Sequence, residues 1–402
     1  MPDGSRRCFR CYWLALVIPV AFVLVWVVLW NVHATRSMMM TAFVTQDLIV
    51  HLPVSPINLV GDEPVVEEVV IQVPEARLGA VTVDVYRPPN GETHGALVMA
   101  IGAADQIRDH PGVIRLSKAV SRAGIVVVVP DMYYPIDGRK TLPRDVHELT
   151  SAFSSNVEGM VATIDWLREQ DYVDPEKVGV VGFSAGGGIA LMAAADPSIR
   201  NDIDFVVTLG TYYDMVDLIS AITTGSVSYD GETAPWEPRL KAVRLMYSSI
   251  FSFLPEAGDR EILERIYIEE DRAALSEVPR LSAKGRELHE AFAHSDRERL
   301  LALWRELSPG DVAVLEGISP STYVQDLDTD LYILSDRTDD YIPHVESLRL
   351  RDEASGNGTE VHYLEFRAFN HVEPDGAGDP FGLLGDTTKL IHMTWRLLQR
   401  LS

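Results

Sequence analysis

Cysteine is almost missing: Cys8 and Cys11 are the only two in 402 residues. Both precede a long apolar run, so the chain beyond it has no disulfide, no thiolate metal site and no cysteine nucleophile. Their Cys-x-x-Cys spacing reads as two juxtamembrane thiols, because no βαβ pattern surrounds them. Positive charge is also short. The 35 Lys and Arg residues face 59 Asp and Glu residues, for a formal net charge of -24. That balance argues against nucleic-acid binding, where phosphates call for Lys and Arg, and it disfavours tight docking of the globular part on anionic lipid. No internal repeat or low-complexity tract is evident. What remains, 47% hydrophobic and 23% charged, has the composition of a globular chain large enough to bury a sizeable core.

The one long hydrophobic run lies at the start. Tyr12 to Trp30 carries no charge and is long enough to cross about 30 Å of hydrocarbon as a helix. Arg6, Arg7 and Arg10 precede it. The positive-inside rule then puts residues 1–11 in the cytoplasm, residues 12–31 across the cell membrane, and the rest outside the cytoplasm. A cleaved signal peptide, with Val32-His33-Ala34 as its cleavage site and secretion as the outcome, is the alternative. Residues 32–64, with Pro53, Pro56 and Pro64, read as a linker.

From residue 65 the pattern is regular. Val65–Val73 and Ala80–Tyr86 read as an antiparallel strand pair. Ala96–Ile101 and Ile125–Val129 are continuous apolar runs, as in strands buried on both faces. A helix over 112–123 separates them, with Val113, Leu116, Ala119 and Val120 on one face. Helix 150–170, strand 177–182, helix 184–195 and strand 204–209 continue the alternation. This rhythm predicts an α/β fold with a doubly wound, mostly parallel sheet. It breaks after Gly210 and resumes with strand 330–335, helix 344–354, strand 359–366 and a closing helix over 384–400. Helical patterns at 237–254, 259–276 and 281–294 fill the gap. A further helix follows the capping box Ser295–Glu298 and stops at Pro309-Gly310. The expected organisation is therefore a core over 65–210 and 326–402, with a helical cap inserted at 211–325.

The chemical centre is Gly182-Phe183-Ser184-Ala185-Gly186, between a buried strand and a helix. In that context Gly-x-Ser-x-Gly forms a sharp, strained turn that exposes the serine hydroxyl and tolerates only small neighbours. Ser184 is the candidate nucleophile. A hydroxyl needs a base to remove its proton. Among 11 histidines, His371 stands in a loop just after the last strand, whereas His362 lies within that strand, His344 starts a helix and His392 lies in the final helix. The carboxylate that orients the imidazole is sought in Ser335-Asp336-Arg337-Thr338-Asp339-Asp340-Tyr341-Ile342-Pro343. Asp336 is placed to shape the turn; Asp339, with Asp340 as the alternate, can reach a histidine in the next loop.

These residues resemble the α/β-hydrolase superfamily, especially its dienelactone-hydrolase-like and prolyl-oligopeptidase-like esterase and peptidase branches. The resemblance spans about 66–210 and 326–401, and its chain order of Ser, Asp and His agrees with that superfamily. It implies that the acid stands four residues before Pro343, which selects Asp339. It also implies an oxyanion hole from the backbone N–H groups of Ala185 and of Ala103, with Ala104 as alternate. Where many relatives have His-Gly at the end of the third strand, this chain has Ile101-Gly102. The function so implied is a serine hydrolase that cleaves a carboxylic ester or related acyl bond, with a small-molecule or lipid-like substrate and no metal or organic cofactor. A peptidase or acyltransferase on the same fold, or a non-catalytic membrane-tethered binding protein, are the alternatives.

Overall fold

The computed structural model of the protein describes residues 33–49, 55–73, 79–102, 107–132, 146–252, 254–293, 299, 302, 309–367, 369–371, 373–374 and 380–402. Eight strands form one sheet in the order β1-β2-β4-β3-β5-β6-β9-β10. They are β1 (Val65–Gln72), β2 (Ala80–Arg87), β3 (His94–Ala100), β4 (Val126–Pro130), β5 (Val173–Phe183), β6 (Phe205–Leu209), β9 (Asp330–Asp336) and β10 (Val361–Phe366). β2 runs antiparallel to both β1 and β4, and every other neighbouring pair is parallel. The expected hairpin and doubly wound sheet are both present, and the arrangement is that of an α/β-hydrolase.

Burial explains the order. All five residues of β4 and of β6 are buried, and so are all of β3 except His94. Strands covered by helices on both faces can afford no polar side. The sheet divides the core in two. On one face α4 (Val146–Arg168) and α5 (Ala185–Ala194) bring Met160, Ile164, Ile189 and Leu191 onto Val98, Val128 and Val180. The other face carries α3 (Pro111–Arg122) and α12 (Pro380–Leu401) over Met99, Val127, Val129 and Val207. Helix α3 buries Ala119 and Val120, on the face its spacing marks.

Several segments depart from expectation. Residues 33–49 form a helix, α1 (His33–Ile49), where a linker was read, and its Met40 and Val44 join Leu390, Met393 and Leu398 of α12 in the core. A short α2 (Ile57–Val60) follows. The insertion is not wholly helical. After α6 (Met215–Thr224) comes a hairpin of β7 (Ser226–Tyr229) and β8 (Glu232–Pro235), turning at Asp230 and Gly231 with φ of 51° and 78°. Then follow α7 (Leu240–Ser252) and α8 (Ala257–Tyr267). The helix expected to reach residue 276 stops at Tyr267, and a 3-10 stretch, Arg272–Arg280, contains Pro279. After α9 (Ala283–Ala293), the capping box 295–298 lies outside the described residues. Pro309-Gly310, read as a stop, instead lie within a helix, α10 (Pro309–Gly317). The helix after β9 is α11 (His344–Gly356). Among the described residues no helix is long and apolar enough to cross a membrane; the expected span, 12–31, lies outside them.

Candidate active site

Ser184 sits between β5 and α5 with φ 54° and ψ -128°, a region that costs a non-glycine residue backbone strain. Three contacts hold it there. Its N–H donates to the Leu209 carbonyl at the end of β6 (2.9 Å), and its carbonyl accepts from Gly187 (2.9 Å). On the third side a methyl group added to Gly102 would lie 2.7 Å from the Ser184 Cβ. Glycine is required on the helix side too: a Cβ on Gly186 would run into the Ala100 carbonyl. The sharp turn expected of this motif is therefore built, and Ser184 stays partly exposed.

Ala185 is the first residue of α5, so its N–H has no partner within the helix and sits at the positive end of the helix dipole. The Gly102 position lies 3.2 Å from that nitrogen, measured to an added Cβ. The end of β3 thus borders the Ala185 amide. Ala103 and Ala104 lie outside the described residues.

Asp339 and His371 come together 32 residues apart. His371 Nδ1 lies 2.8 Å from Asp339 Oδ2, and both side chains are buried. The other carboxylate oxygen, Oδ1, accepts N–H bonds from Tyr341 (2.8 Å) and Ile342 (2.9 Å). Both oxygens of this carboxylate thus have partners, which fixes its plane. Asp336 does what its place at the strand end implies: Oδ1 accepts from the Thr338 N–H and hydroxyl, both at 2.6 Å. Asp340 turns away, to Arg239 (2.9 Å).

His371 follows β11 (Phe369–Asn370), which pairs with β12 (Glu373–Pro374). Its φ of 62° suits the first position of a two-residue hairpin turn. The other histidines weighed are placed elsewhere: His344 opens α11, His362 in β10 stacks on Tyr332 of β9 at 4.4 Å, and His392 lies beside Trp395 in α12.

Gly210 links serine to this pair. Its φ is 57°, and a Cβ there would lie 3.1 Å from both Asp339 Oδ2 and His371 Nδ1. The residue before it, Leu209, holds the Ser184 N–H. Ser184 and the His371–Asp339 pair therefore border two consecutive residues at the end of β6, Ser184 at Leu209 and the pair at Gly210. Behind them, buried Glu346 accepts the N–H groups of Tyr213 and Asp214, both at 3.0 Å, and so anchors the segment leaving Gly210. Burial pushes its carboxyl up to about 7, against the pull of Arg349.

Three groups outside the sequence reading touch this site. Tyr341 stacks on the His371 ring at 5.0 Å and 26°. Trp236 Nε1 donates to the Asp339 carbonyl at 2.9 Å. Arg239 lies over the Tyr341 ring at 5.1 Å. Tyr341 stands in the loop that carries the acid and was open to notice; Trp236 and Arg239 reach it from more than 100 residues away. Among the described residues no group of His, Cys, Asp and Glu could hold a metal ion.

The sequence model of the dienelactone hydrolase family matches residues 106–206, a segment that contains Ser184 but neither Asp339 nor His371. A search of curated proteins returned no match. Among solved structures the chain is similar to an acylaminoacyl peptidase of Pyrococcus horikoshii (11% identity, 85% of this chain and 42% of that one, TM-score 0.46). It is also similar to dipeptidyl peptidase 4 of Porphyromonas gingivalis (12% identity, 83% and 36% covered, TM-score 0.48). A third is a hyperthermophilic esterase of the archaeon Pyrobaculum calidifontis (18% identity, 85% and 86% covered, TM-score 0.45). The chain spans under half the length of the two peptidases. The family match and the strand order agree with the α/β-hydrolase resemblance read from the sequence.

Proposed function

We propose that the protein is a serine hydrolase that cleaves a carboxylic ester through an acyl-enzyme on Ser184. The observation that carries this reading is the 2.8 Å contact between His371 Nδ1 and Asp339, beside a serine held at positive φ. With its Nδ1 proton directed at Asp339, the imidazole has Nε2 free of that proton and able to act as a base. His371 takes the Ser184 hydroxyl proton as the oxygen bonds to the acyl carbon. The carbonyl π electrons move to its oxygen, where the Ala185 N–H stabilises the charge; the loop after Gly102 is assigned the second donor. Collapse expels the alcohol, which leaves with the proton from His371. Water, deprotonated by the same imidazole, then releases the acid and restores Ser184.

Turnover of short p-nitrophenyl esters by the full-length protein tests this, with products analysed in the presence and absence of an alcohol acceptor. Free acid in both cases is expected. Acyl transfer to the alcohol as the main product would make the protein a transferase. Cleavage of peptides but not esters would make it a peptidase. The uncharged run at 12–31 supports a membrane-anchored form with the catalytic part outside the cytoplasm; deleting residues 1–32 should then move activity from the membrane fraction to the soluble one.

A further inference from the structure

The support for His371 is lopsided. Among the described residues one side of its ring is fixed by Asp339, and the main chain that carries it is a hairpin of two-residue strands. Backbone so thinly paired does not by itself hold a ring to within a few tenths of an ångström. A further constraint comes from the insertion. Trp236 closes the β7–β8 hairpin, its N–H donating to Gly225 at 2.8 Å, and its indole reaches the Asp339 carbonyl. Three residues on, Arg239 grips the same loop twice: its N–H donates to the Asp340 carbonyl (2.6 Å) and its Nε to the Asp340 carboxylate (2.9 Å). The guanidinium then covers Tyr341, which also stacks on the His371 ring.

We propose that the insertion positions the catalytic histidine through a stack of Arg239, Tyr341 and His371, with Trp236 and Asp340 as its clasps. This rests on His371 being the base proposed above. Tyr341 and Arg239 are positioning residues: the ring limits rotation of the imidazole about the bonds that connect it to the chain, and the arginine keeps the ring from swinging out to solvent. Arginine suits the task because its plane can lie on an aromatic face while its edge donates to a carboxylate.

The test measures kcat and KM on a p-nitrophenyl ester for Tyr341→Ala, Tyr341→Phe, Arg239→Ala and Ser184→Ala in the full chain. The low-field Nδ1–H proton resonance of His371 is recorded for each. Tyr341→Ala should lower kcat about 100-fold, the cost of a catalytic group misplaced by about 1 Å, with KM little changed. Tyr341→Phe should restore most of kcat, and Arg239→Ala should fall between. The His371 resonance should broaden in Tyr341→Ala and stay sharp in Tyr341→Phe. Full kcat and an unchanged resonance in Tyr341→Ala would overturn the stack, as would equal loss in Tyr341→Phe. Ser184→Ala separates the two ideas: if it keeps turnover, the serine-hydrolase reading itself falls. If it is inactive while Tyr341→Ala is unaffected, only the positioning role is lost.

Discussion

Replacing Asp339 by asparagine should silence the protein without unfolding it. Oδ1 accepts the N–H groups of Tyr341 and Ile342, and Oδ2 faces His371 Nδ1. An asparagine has one acceptor oxygen and one NH2 group to distribute over these places. Putting NH2 at the Oδ1 position would leave two buried N–H groups without acceptors, at about 1–3 kcal/mol each. Even the lower bound, about 2 kcal/mol, keeps more than about nine molecules in ten with the oxygen on the loop amides. The NH2 then points at Nδ1, which must accept. The ring proton moves to Nε2, the nitrogen that should take the proton from Ser184. Loss of kcat by about 10⁴-fold is expected, the scale of a triad locked in the wrong tautomer. The assay is kcat on a p-nitrophenyl ester, with a thermal melt to show that the fold persists. Asp340→Asn is the control. It keeps the backbone bond from Arg239 and loses only a partly exposed ion pair, so a few-fold effect is expected. If Asp339→Asn keeps kcat within about tenfold of wild type, or Asp340→Asn does more damage, the tautomer argument is refuted.

Gly210→Ala should act on the same pair. Alanine at φ 57° costs about 1 kcal/mol, and its Cβ at 3.1 Å from both Asp339 and His371 presses on their hydrogen bond. A melt lower by about 1–2 °C and at least a tenfold loss of kcat, by about the same logic of misplacement, are expected; full activity would mean that the pair does not work in this geometry. Glu346 predicts a pH effect on stability. Its carboxyl is raised in the folded protein from 4.5 to about 7, so the stability it contributes is complete below about pH 4.5 and is lost as pH rises through about 7. The amount is roughly 3 kcal/mol at most. Glu346→Gln keeps an oxygen for Tyr213 and Asp214 while Arg349 keeps Asp217 (2.8 Å). Its urea stability should therefore fall less than that of wild type between pH 5 and 8, and equal slopes would contradict the assignment.

Most of the sheet could be read because its strands obey local rules. Val126 to Val129 and Ala96 to Ala100 are buried on both faces, so an unbroken apolar run was the right signal. The turn at Ser184 was legible because it demands small residues at fixed offsets; the carboxylate and the histidine were sought after strand ends, and the choice of Asp339 over Asp340 came from the resemblance, through its spacing to Pro343. The hairpin at 226–235 was missed although Asp230-Gly231 is a strong turn signal; β8 is exposed throughout, so no hydrophobic alternation marked it. The helix at 33–49 was read as linker because its moderate apolar content gains meaning only against α12 (Pro380–Leu401), at the other end of the chain. Trp236 and Arg239 carry no local mark of their role, since contacts made over 100 residues of chain depend on how the insertion folds back.

The central claim is that Ser184 is the nucleophile. Incubation with a fluorophosphonate, followed by peptide mass mapping, tests it most directly. A single adduct is expected on the peptide containing Ser184, absent from Ser184→Ala and strongly slowed in His371→Ala. An adduct on another residue, or undiminished labelling of Ser184→Ala, would contradict it.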